Sequence, residues 1–310
     1  MFEDIQGVFA AALTPLNQDY SIDFTGFPRL LDFLAGRGCH GALLFGTTGE
    51  GPSFSPDERI RAWQVASDWR RAHPDFRLLA GTGTPSLQET IELTQSAFDA
   101  GMDGVVTLPP YYFRKVNDEG LYLWFEQVIN QAIPPGKAFL GYHFPNVSGV
   151  PLSADLLSRL KEHYPDKFAG IKDSSGDPEF ARALGEFFGP GLVVLTGNDR
   201  LFNHALSNQA AGCITAMANL YSPDLRLVWD AFQEGNTASV NTIQERISAV
   251  RAILERYPPF TSLLKALLAN QYEFPRWSVR PPLLPMPDDA SAQAISELNS
   301  TERLSEELEK

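Results

Sequence analysis

The chain has 310 residues, of which 44% are hydrophobic and 20% charged, so a single domain of this length can bury a large core. Its net charge of -13 argues against nucleic acids and anionic membranes as partners. The two cysteines, Cys39 and Cys213, are far apart, the N-terminus lacks a basic leader, and no long apolar run occurs; the sequence therefore predicts a cytoplasmic protein without disulfides, signal peptide or membrane span.

Eight short runs of the chain are almost continuously apolar, which is typical of parallel strands buried on both faces. These runs cover residues 7–12, 41–45, 77–80, 104–108, 138–142, 168–171, 192–195 and 212–216. Longer amphipathic stretches separate them and have the spacing of surface helices.

Helix starts are marked by capping signals between these runs. Residues 55–58, Ser-Pro-Asp-Glu, have the order of an N-cap residue, a first-turn proline and a capping-box glutamate. Ser86 with Glu89 repeats the capping box, and Asp177 and Ser222 each precede a proline and an acidic residue. We therefore predict that helices begin at these four positions.

Eight strand–helix units predict an α/β fold of the (β/α)8 TIM-barrel type with extra C-terminal helices. A doubly wound sheet is the alternative, although it usually has fewer units and a glycine-rich first turn. We expect residues 1–221 to form the barrel core and residues 222–310 a helical extension packed on it. In that extension, 222–270 predicts two or three helices, 274–287 an extended proline-rich segment, and 288–310 a short helix or a frayed tail.

The active site of such a barrel lies where its strands end, so the residues after each apolar run are the candidates for chemistry. They include GTTGE at 46–50, PPYY at 109–112, YHFP at 142–145, KDSSG at 172–176 and GND at 197–199. The eighth run contains Thr215, a further candidate for binding the substrate. If the barrel forms, these distant segments converge in space.

Lys172 closes the sixth apolar run. Partial desolvation there favours a neutral amine, whose lone pair can attack a ketone and form an imine that acts as an electron sink. Tyr142 ends the preceding run, and a phenol near such a lysine can shuttle protons. Each residue alone also has a simpler interpretation. Lys172 can be a strand-end lysine that extends to solvent or pairs with Asp173, and Tyr142 can be an aromatic residue of the core.

The GTTGE turn offers two hydroxyls, on Thr47 and Thr48, and successive backbone N–H groups that suit a carboxylate. Alternatively its threonines bond only their own backbone. The turn matches neither nucleotide-binding glycine motif. The five histidines lack metal-site spacing and no GxSxG occurs, so neither a metal, a cofactor nor a serine nucleophile is predicted.

Taken together and in this order, GTTGE, PPYY, YxxP and GIKDSSGD resemble the dihydrodipicolinate synthase / N-acetylneuraminate lyase family over roughly residues 5–285. The resemblance implies that Lys172 forms a Schiff base with pyruvate and that Tyr142 is the acid/base. It implies that Thr47 and Thr48 hold the pyruvate carboxylate, with Thr48 also relaying protons to the tyrosine. Tyr112 matches an aromatic that some members insert into a neighbouring subunit's site, which implies a homo-oligomer, commonly a tetramer.

One position departs from the synthase branch of this family, and another departs from its sialic-acid lyases. That branch has an arginine five residues after the catalytic tyrosine, whereas this chain has Val147. Residues 142–150 are instead similar to the sialic-acid lyases and the 2-keto-3-deoxy sugar-acid aldolases. Gly197 and Asp199 match a stretch that binds sugar hydroxyls in the sialic-acid lyases, but the acid that follows there is Arg200 here. Whether Arg200 supplies the missing guanidinium is left open.

The resemblance therefore favours a pyruvate-dependent class I aldolase that splits a 2-keto acid, such as a 2-keto-3-deoxy sugar acid, into pyruvate and an aldehyde. Dihydrodipicolinate synthesis, 4-hydroxy-2-oxoglutarate cleavage and dehydration of a keto-deoxy sugar acid are alternatives that share the imine. A non-catalytic small-molecule-binding protein is the alternative of another class.

Overall fold

The computed structural model describes residues 2–308, with side chains described as far as Thr301. Eight parallel strands, β1 to β8, pair in chain order, and β8 pairs with β1 to close a barrel. The strands are β1 Gly7–Ala11, β2 Gly41–Leu44, β3 Arg77–Gly81, β4 Gly104–Thr107, β5 Ala138–His143, β6 Phe168–Asp173, β7 Val193–Thr196 and β8 Gly212–Thr215. The predicted TIM barrel is therefore confirmed; each strand overlaps its predicted apolar run, and four strands, β3, β5, β6 and β7, extend one or two residues beyond it.

Two apolar layers explain why these runs are continuous. One set of side chains fills the barrel interior, and the alternate set packs outward against the helices, so that the strands are buried on both faces. The interior layer consists of Phe9, Ala11, Leu43, Leu79, Val106, Ala138, Leu140, Tyr142, Ala169, Leu195 and Ile214, with Phe2 and Ile5 closing the end where the strands begin. Tyr142 is thus the interior residue nearest the end of β5.

Within the described residues, twelve helices surround and extend the barrel. They are α1 Gly26–Gly36, α2 Pro56–Arg70, α3 Leu87–Asp99, α4 Asp118–Ala132, α5 Pro145–Ser148, α6 Ala154–His163, α7 Pro178–Phe188, α8 Phe202–Ser207, α9 Ala218–Gln233, α10 Thr237–Leu254, α11 Phe260–Gln271 and α12 Asp288–Leu308.

Three of the four predicted helix starts are confirmed. Ser55 caps α2 with a complete capping box, Ser86 caps α3 and Asp177 caps α7 through its carboxylate. The start predicted at Ser222 falls at a kink in α9. The backbone is non-helical at Tyr221, which joins two helical segments within Ala218–Gln233, and the second segment begins at Ser222.

The C-terminal part wraps back onto the barrel. Helix α9 packs against β1 and β8, and α12 packs against α10 and α11. Residues 274–287 contain no helix or strand, and the tail forms a long helix as far as Leu308 rather than a short or frayed one; residues 309–310 lie outside the description. The boundary after residue 221 falls at the kink of α9 and stays a prediction. No helix among the described residues combines the length and apolarity that a membrane crossing requires.

Candidate active site

Tyr142 and Lys172 lie side by side at the ends of β5 and β6, where they are register partners. Both side chains are buried, with 5% and 3% of their surface exposed. Nζ of Lys172 lies 4.3 Å from the centroid of the Tyr142 ring. Among residues 2–301 this nitrogen has no hydrogen-bond or ion-pair partner. The pair therefore combines an uncommitted buried amine with a phenol, the two groups that imine chemistry needs.

The GTTGE turn after β2 brings a threonine hydroxyl to this tyrosine. Oγ1 of Thr47 lies 3.4 Å from the phenolic oxygen of Tyr142. Thr48 is half-buried, and its carbonyl accepts a hydrogen bond from Oγ1 of Thr261. The hydroxyl next to the phenol is thus that of Thr47, and the expectation that Thr48 relays protons to the tyrosine stays a prediction.

The same turn leaves backbone donors free. Within the described residues, the N–H groups of Thr48 and Gly49 have no acceptor. Unbonded N–H groups beside two hydroxyls can together bind an anionic oxygen, as backbone anion nests do. The turn is therefore able to hold a small carboxylate.

A small cavity of about 40 Å³ lies on this side of the tyrosine, lined by Thr47, Val106, Leu108 and Tyr142 among others. A larger cavity, of about 400 Å³, lies at the opposite end of the barrel beside Phe2. The larger space contains none of the catalytic candidates, so cavity size does not identify the candidate site.

His143 and Asp173, next in sequence to the central pair, serve the loops that follow their strands. Nδ1 of His143 accepts a hydrogen bond from the backbone N–H of Leu152 at 2.9 Å, and the ring stacks on Phe180. Burial lowers the pKa of His143 to about 4, so the imidazole is neutral near pH 7. Burial also raises the pKa of Asp173, although the hydrogen bond that it accepts from the Ser175 N–H opposes this.

Among the described residues no three His, Cys, Asp or Glu side chains are arranged to hold a metal ion.

Asp199 is fully buried rather than open to a ligand. Its carboxylate lies 2.5 Å from Nη1 of Arg251, with none of its surface exposed. Burial raises the pKa of Asp199 and the Arg251 charge opposes that rise. The expected direct contact between Asp199 and a substrate hydroxyl is therefore wrong for this geometry, because the carboxylate is enclosed and already paired.

Thr215, the candidate at the end of β8, is also buried. Its hydroxyl lies close to Asp199, yet neither Oγ1 of Thr215 nor Oδ1 of Asp199 makes a hydrogen bond of ordinary geometry. Thr215 thus borders the enclosed carboxylate and has no recorded contact with Tyr142 or Lys172.

Gly197 lies between the loops that follow β6 and β7. Its N–H donates to the carbonyl of Asp173 at 2.6 Å, and a Cβ at this position would come within 1.9 Å of Oγ of Ser174. Glycine is therefore required by a close approach of two loops beside Lys172.

Tyr112 is 76% exposed and packs edge to face on Phe113, which is 69% exposed. Val147, on α5, is 47% exposed and has no side-chain donor. Arg200 places Nη2 at 3.4 Å from a carboxylate oxygen of Glu255. The guanidinium of Arg200 is thus engaged by the C-terminal helices, and the structure does not bring it to Val147.

Two residues that support the site carried no usable sequence signal. Glu50 was visible as the last residue of GTTGE, but its side chain forms a buried ion pair with Lys265 of α11, 2.6 Å away. Lys265 looks like an ordinary helical lysine in the sequence. Lys265 could have been identified only by knowing that it pairs with Glu50, which is far away in the sequence.

Comparison with known proteins adds to this geometry. The sequence matches the dihydrodipicolinate synthetase family over residues 4–301. An uncharacterized DapA-like lyase of Chloroflexus aurantiacus is 37% identical over 290 residues, covering 93% of this chain and 94% of that protein. A 4-hydroxy-tetrahydrodipicolinate synthase of Methanothrix thermoacetophila is 30% identical over 290 residues, covering 93% and 94%.

Among solved structures, a similar fold is that of YagE, a prophage protein of the dihydrodipicolinic acid synthase family from E. coli K12, in complex with pyruvate. Its TM-score is 0.90 at 26% sequence identity, covering 96% of this chain and 99% of that one. The likeness extends over the whole barrel and the C-terminal helices.

Proposed function

Because the chain belongs to the dihydrodipicolinate synthetase family, it is a Schiff-base-forming carbon–carbon lyase, and we propose that it cleaves a 2-keto acid, such as a 2-keto-3-deoxy sugar acid, into pyruvate and an aldehyde. The observation that carries the proposal is the buried, unpaired amine of Lys172 beside the Tyr142 ring. The pyruvate bound to the similar YagE protein supports the ketone as the imine-forming group.

The reaction begins at Lys172. Its neutral amine attacks C2 of the keto acid, and loss of water gives a protonated imine. Tyr142 then removes the proton of the C4 hydroxyl, the C3–C4 bond breaks, and its electron pair moves to the imine nitrogen as the aldehyde leaves. Protonation of the enamine at C3 and addition of water release pyruvate and restore the amine.

The GTTGE turn holds the carboxylate during this sequence. The hydroxyls of Thr47 and Thr48 and the free N–H groups after Thr47 are the donors. Since Thr47 is the threonine in contact with Tyr142, it is the one that connects the phenol to a proton relay. Fixing the carboxylate orients C2 toward the amine, which is a large part of what an enzyme contributes to such a step.

Tyr112 has a role only in an assembly. The exposed pair of Tyr112 and Phe113 is an apolar projection of the kind that commonly inserts into a partner. We infer that it enters the site of a second copy of the chain, so that the working unit is at least a dimer. Sedimentation of the wild type and of Tyr112→Ser with Phe113→Ser would test this: a monomeric double variant supports it, and an unchanged oligomer contradicts it.

A second candidate is 4-hydroxy-tetrahydrodipicolinate synthesis, the activity in the name of the relative from Methanothrix thermoacetophila. The exposed Val147 argues against this synthase activity, since its side chain offers no hydrogen-bond donor for the carboxylate of a second substrate. The position of Arg200 also favours cleavage over synthesis, since its guanidinium lies 3.4 Å from Glu255 rather than beside Val147.

The decisive experiment adds pyruvate and borohydride to the full-length protein and maps the product by intact mass and peptide analysis. We expect one stable adduct per chain, on Lys172; an adduct on Lys115, Lys137 or Lys265 instead would contradict the assignment. A panel of 2-keto-3-deoxy acids, assayed for pyruvate release with and without a chelator, then identifies the aldehyde half. Failure to form any adduct would favour the non-catalytic binding protein.

A further inference from the structure

The turn that presents Thr47 and Thr48 is bounded by two non-glycine residues in the left-handed conformation. Phe45 has φ 57° and Glu50 has φ 58°. Apart from asparagine and aspartate, L-residues rarely adopt the left-handed region, because their Cβ approaches the following carbonyl, whereas glycine has no Cβ. Something outside the turn must therefore hold both ends in place.

Phe45 is held by packing. Its ring contacts the rings of Phe27, Phe54 and Trp63, with centroids 5.2 to 6.5 Å away. The carbonyl of Phe45 lies so close to Gly81 that a Cβ there would come within 2.3 Å of it. The first end of the turn is thus fixed by the aromatic core.

Glu50 is held by charge. Nζ of Lys265 lies 2.6 Å from one carboxylate oxygen, and the backbone N–H of Arg280 donates to the other at 2.8 Å. Nζ of Lys265 also donates to the carbonyl of Ser278 at 2.6 Å. Glu50 and Lys265 are 2% and 1% exposed, so this ion pair is almost free of solvent screening.

Helix α11 touches the turn a second time. Thr261 lies one helical turn before Lys265, on the same face, and its hydroxyl donates to the carbonyl of Thr48 at 3.1 Å. Oγ1 of Thr14, in the loop after β1, donates to the carbonyl of Gly49 at 2.7 Å. Three consecutive residues of the turn are therefore anchored by groups outside it.

We propose that Lys265 is a positioning residue for the carboxylate-binding turn, acting through Glu50, and that Thr261 assists it through the Thr48 carbonyl. The C-terminal helix α11 is then a functional part of the site rather than a covering on the barrel. The identity of the ligand as pyruvate rests on the proposed function. The role of Lys265 is to set the affinity for the carboxylate, whereas Lys172 and Tyr142 carry out the bond-making steps.

The test measures the pyruvate concentration that half-saturates borohydride trapping, together with kcat, KM and Tm, for the full-length protein and its variants. Lys265→Met keeps the length of the side chain and removes its charge. Lys265→Met combined with Glu50→Gln removes both charges. Lys161→Met is the matched control, because Lys161 is a half-buried lysine that bonds a carbonyl at the other end of the barrel.

We expect Lys265→Met to raise half-saturating pyruvate by roughly tenfold to a hundredfold, because small displacements of a positioning group have effects of this size. The value of kcat should change much less. The double variant should recover much of the lost Tm, since no buried charge is left unpaired, while its pyruvate affinity stays weak. Recovery of Tm and affinity together would show a purely structural ion pair and would overturn the proposal.

The variant Thr261→Val tests the proposal even if a Lys265 variant fails to fold, because it removes one hydroxyl and keeps the shape of the side chain. We expect roughly a threefold rise in half-saturating pyruvate, the effect of one neutral hydrogen bond, at an almost unchanged Tm. Wild-type affinity in Thr261→Val and in every folded Lys265 variant would overturn the inference alone. A wild-type protein that traps no pyruvate would overturn the proposed function and this inference with it.

Discussion

Two buried lysines of this protein have nearly equal exposure and opposite surroundings. Lys172, at the end of β6, is 3% exposed and has no charged or hydrogen-bonding partner among residues 2–301. Lys265, on α11, is 1% exposed and bonded to both Glu50 and the Ser278 carbonyl. Burial is therefore common to both, and the presence of a partner separates the lysine that we propose as the nucleophile from the one that we propose as a positioning residue.

The difference has a physical cause. An amine without a hydrogen-bond or ion-pair partner has its nitrogen available for attack on a ketone. For Lys265, burial lowers the pKa, and the Glu50 carboxylate opposes this. The nitrogen of Lys265 is already bonded to Glu50 and to the Ser278 carbonyl, whereas that of Lys172 is not.

The largest effect that distinguishes the two lysines concerns catalysis. We expect Lys172→Met to abolish the pyruvate adduct and to lower kcat by at least about a thousandfold, since the covalent route is lost. Lys172→Arg, which keeps the charge but not the nucleophile, should be equally inactive. Pyruvate release and intact mass after borohydride measure both. Substantial activity in either variant would remove Lys172 from the mechanism.

The second effect concerns stability and has opposite signs in the two regions. Lys265→Met should lower the free energy of unfolding by about 3–5 kcal/mol, because it leaves the Glu50 carboxylate buried without its counter-charge. Lys172→Met should be neutral or stabilising by about 1 kcal/mol, because it replaces an unpaired buried amine by an apolar group of similar length. Chemical denaturation with a shared m-value checks this. Equal losses in both variants would abolish the contrast.

The third effect is a difference in acid sensitivity. His143, beside Lys172, has a pKa of about 4 in the folded protein, because burial disfavours its charged form. The unfolded chain binds this proton first, near pH 6.5, so the stability due to a neutral His143 is complete above that pH. It is lost as pH falls toward 4, by about 3 kcal/mol in total.

The region around Lys265 should withstand the same range of pH. Arg280 bonds Glu58 and lowers its pKa to about 2, so the stability from this pair is present above the ordinary glutamate value and is lost as pH falls toward 2. Thermal unfolding between pH 7 and 4, for the wild type and His143→Asn, isolates the histidine effect, since asparagine accepts the same bond without titrating. If the Tm of the wild type and that of His143→Asn fall in parallel as the pH is lowered, the predicted histidine effect is contradicted.

The difference between the regions also explains what sequence could predict. The strands were predictable because each is buried on both faces and reads as an apolar run. The place of Lys172 near the end of β6 was predictable because a lysine there interrupts such a pattern, and its catalytic role stays a prediction. Its partner Tyr142 follows from the same rule one strand earlier, and the register confirms that they are neighbours.

The supporting residues were not predictable from local patterns. The Glu50–Lys265 pair joins a turn to a helix across most of the chain, and a lysine is rarely fully buried unless it has a partner. Asp199 was expected at the substrate, but the approach of α10 supplies Arg251 and encloses it. Both facts depend on how the C-terminal helices fold back, which local spacing does not encode.

The fourth effect separates proton transfer from imine formation within the Lys172 region. Tyr142→Phe should lower kcat by roughly a hundredfold or more, in line with the loss of a general acid/base, while trapping of pyruvate on Lys172 persists at a reduced rate. Thr47→Val should have a smaller effect of the same kind, since its hydroxyl lies 3.4 Å from the phenol. Single-turnover trapping and steady-state kinetics distinguish the steps; an unchanged kcat in Tyr142→Phe would remove the tyrosine from the relay.

The smallest effect changes the choice of substrate and leaves both lysines untouched. Val147 lies on α5, 47% exposed, so a longer side chain is accommodated without repacking the core. Val147→Arg introduces a guanidinium that can bind a carboxylate through two parallel hydrogen bonds. Each bond to a charged group is worth roughly 1.5–3 kcal/mol when buried, and solvent at this exposed position places the gain at the lower end, about tenfold in kcat/KM.

We therefore expect Val147→Arg to improve condensation of pyruvate with aspartate semialdehyde by about tenfold, relative to a poor wild type. Val147→Lys, a point charge without the fork geometry, should gain less, and Val147→Leu should gain nothing. The adduct on Lys172 and the Tm should stay at their wild-type values in all three, because neither lysine contacts this position. If the wild type already favours the synthase reaction over cleavage of a hydroxylated keto-deoxy acid, the branch assignment fails, whereas the contrast between Lys172 and Lys265 stands.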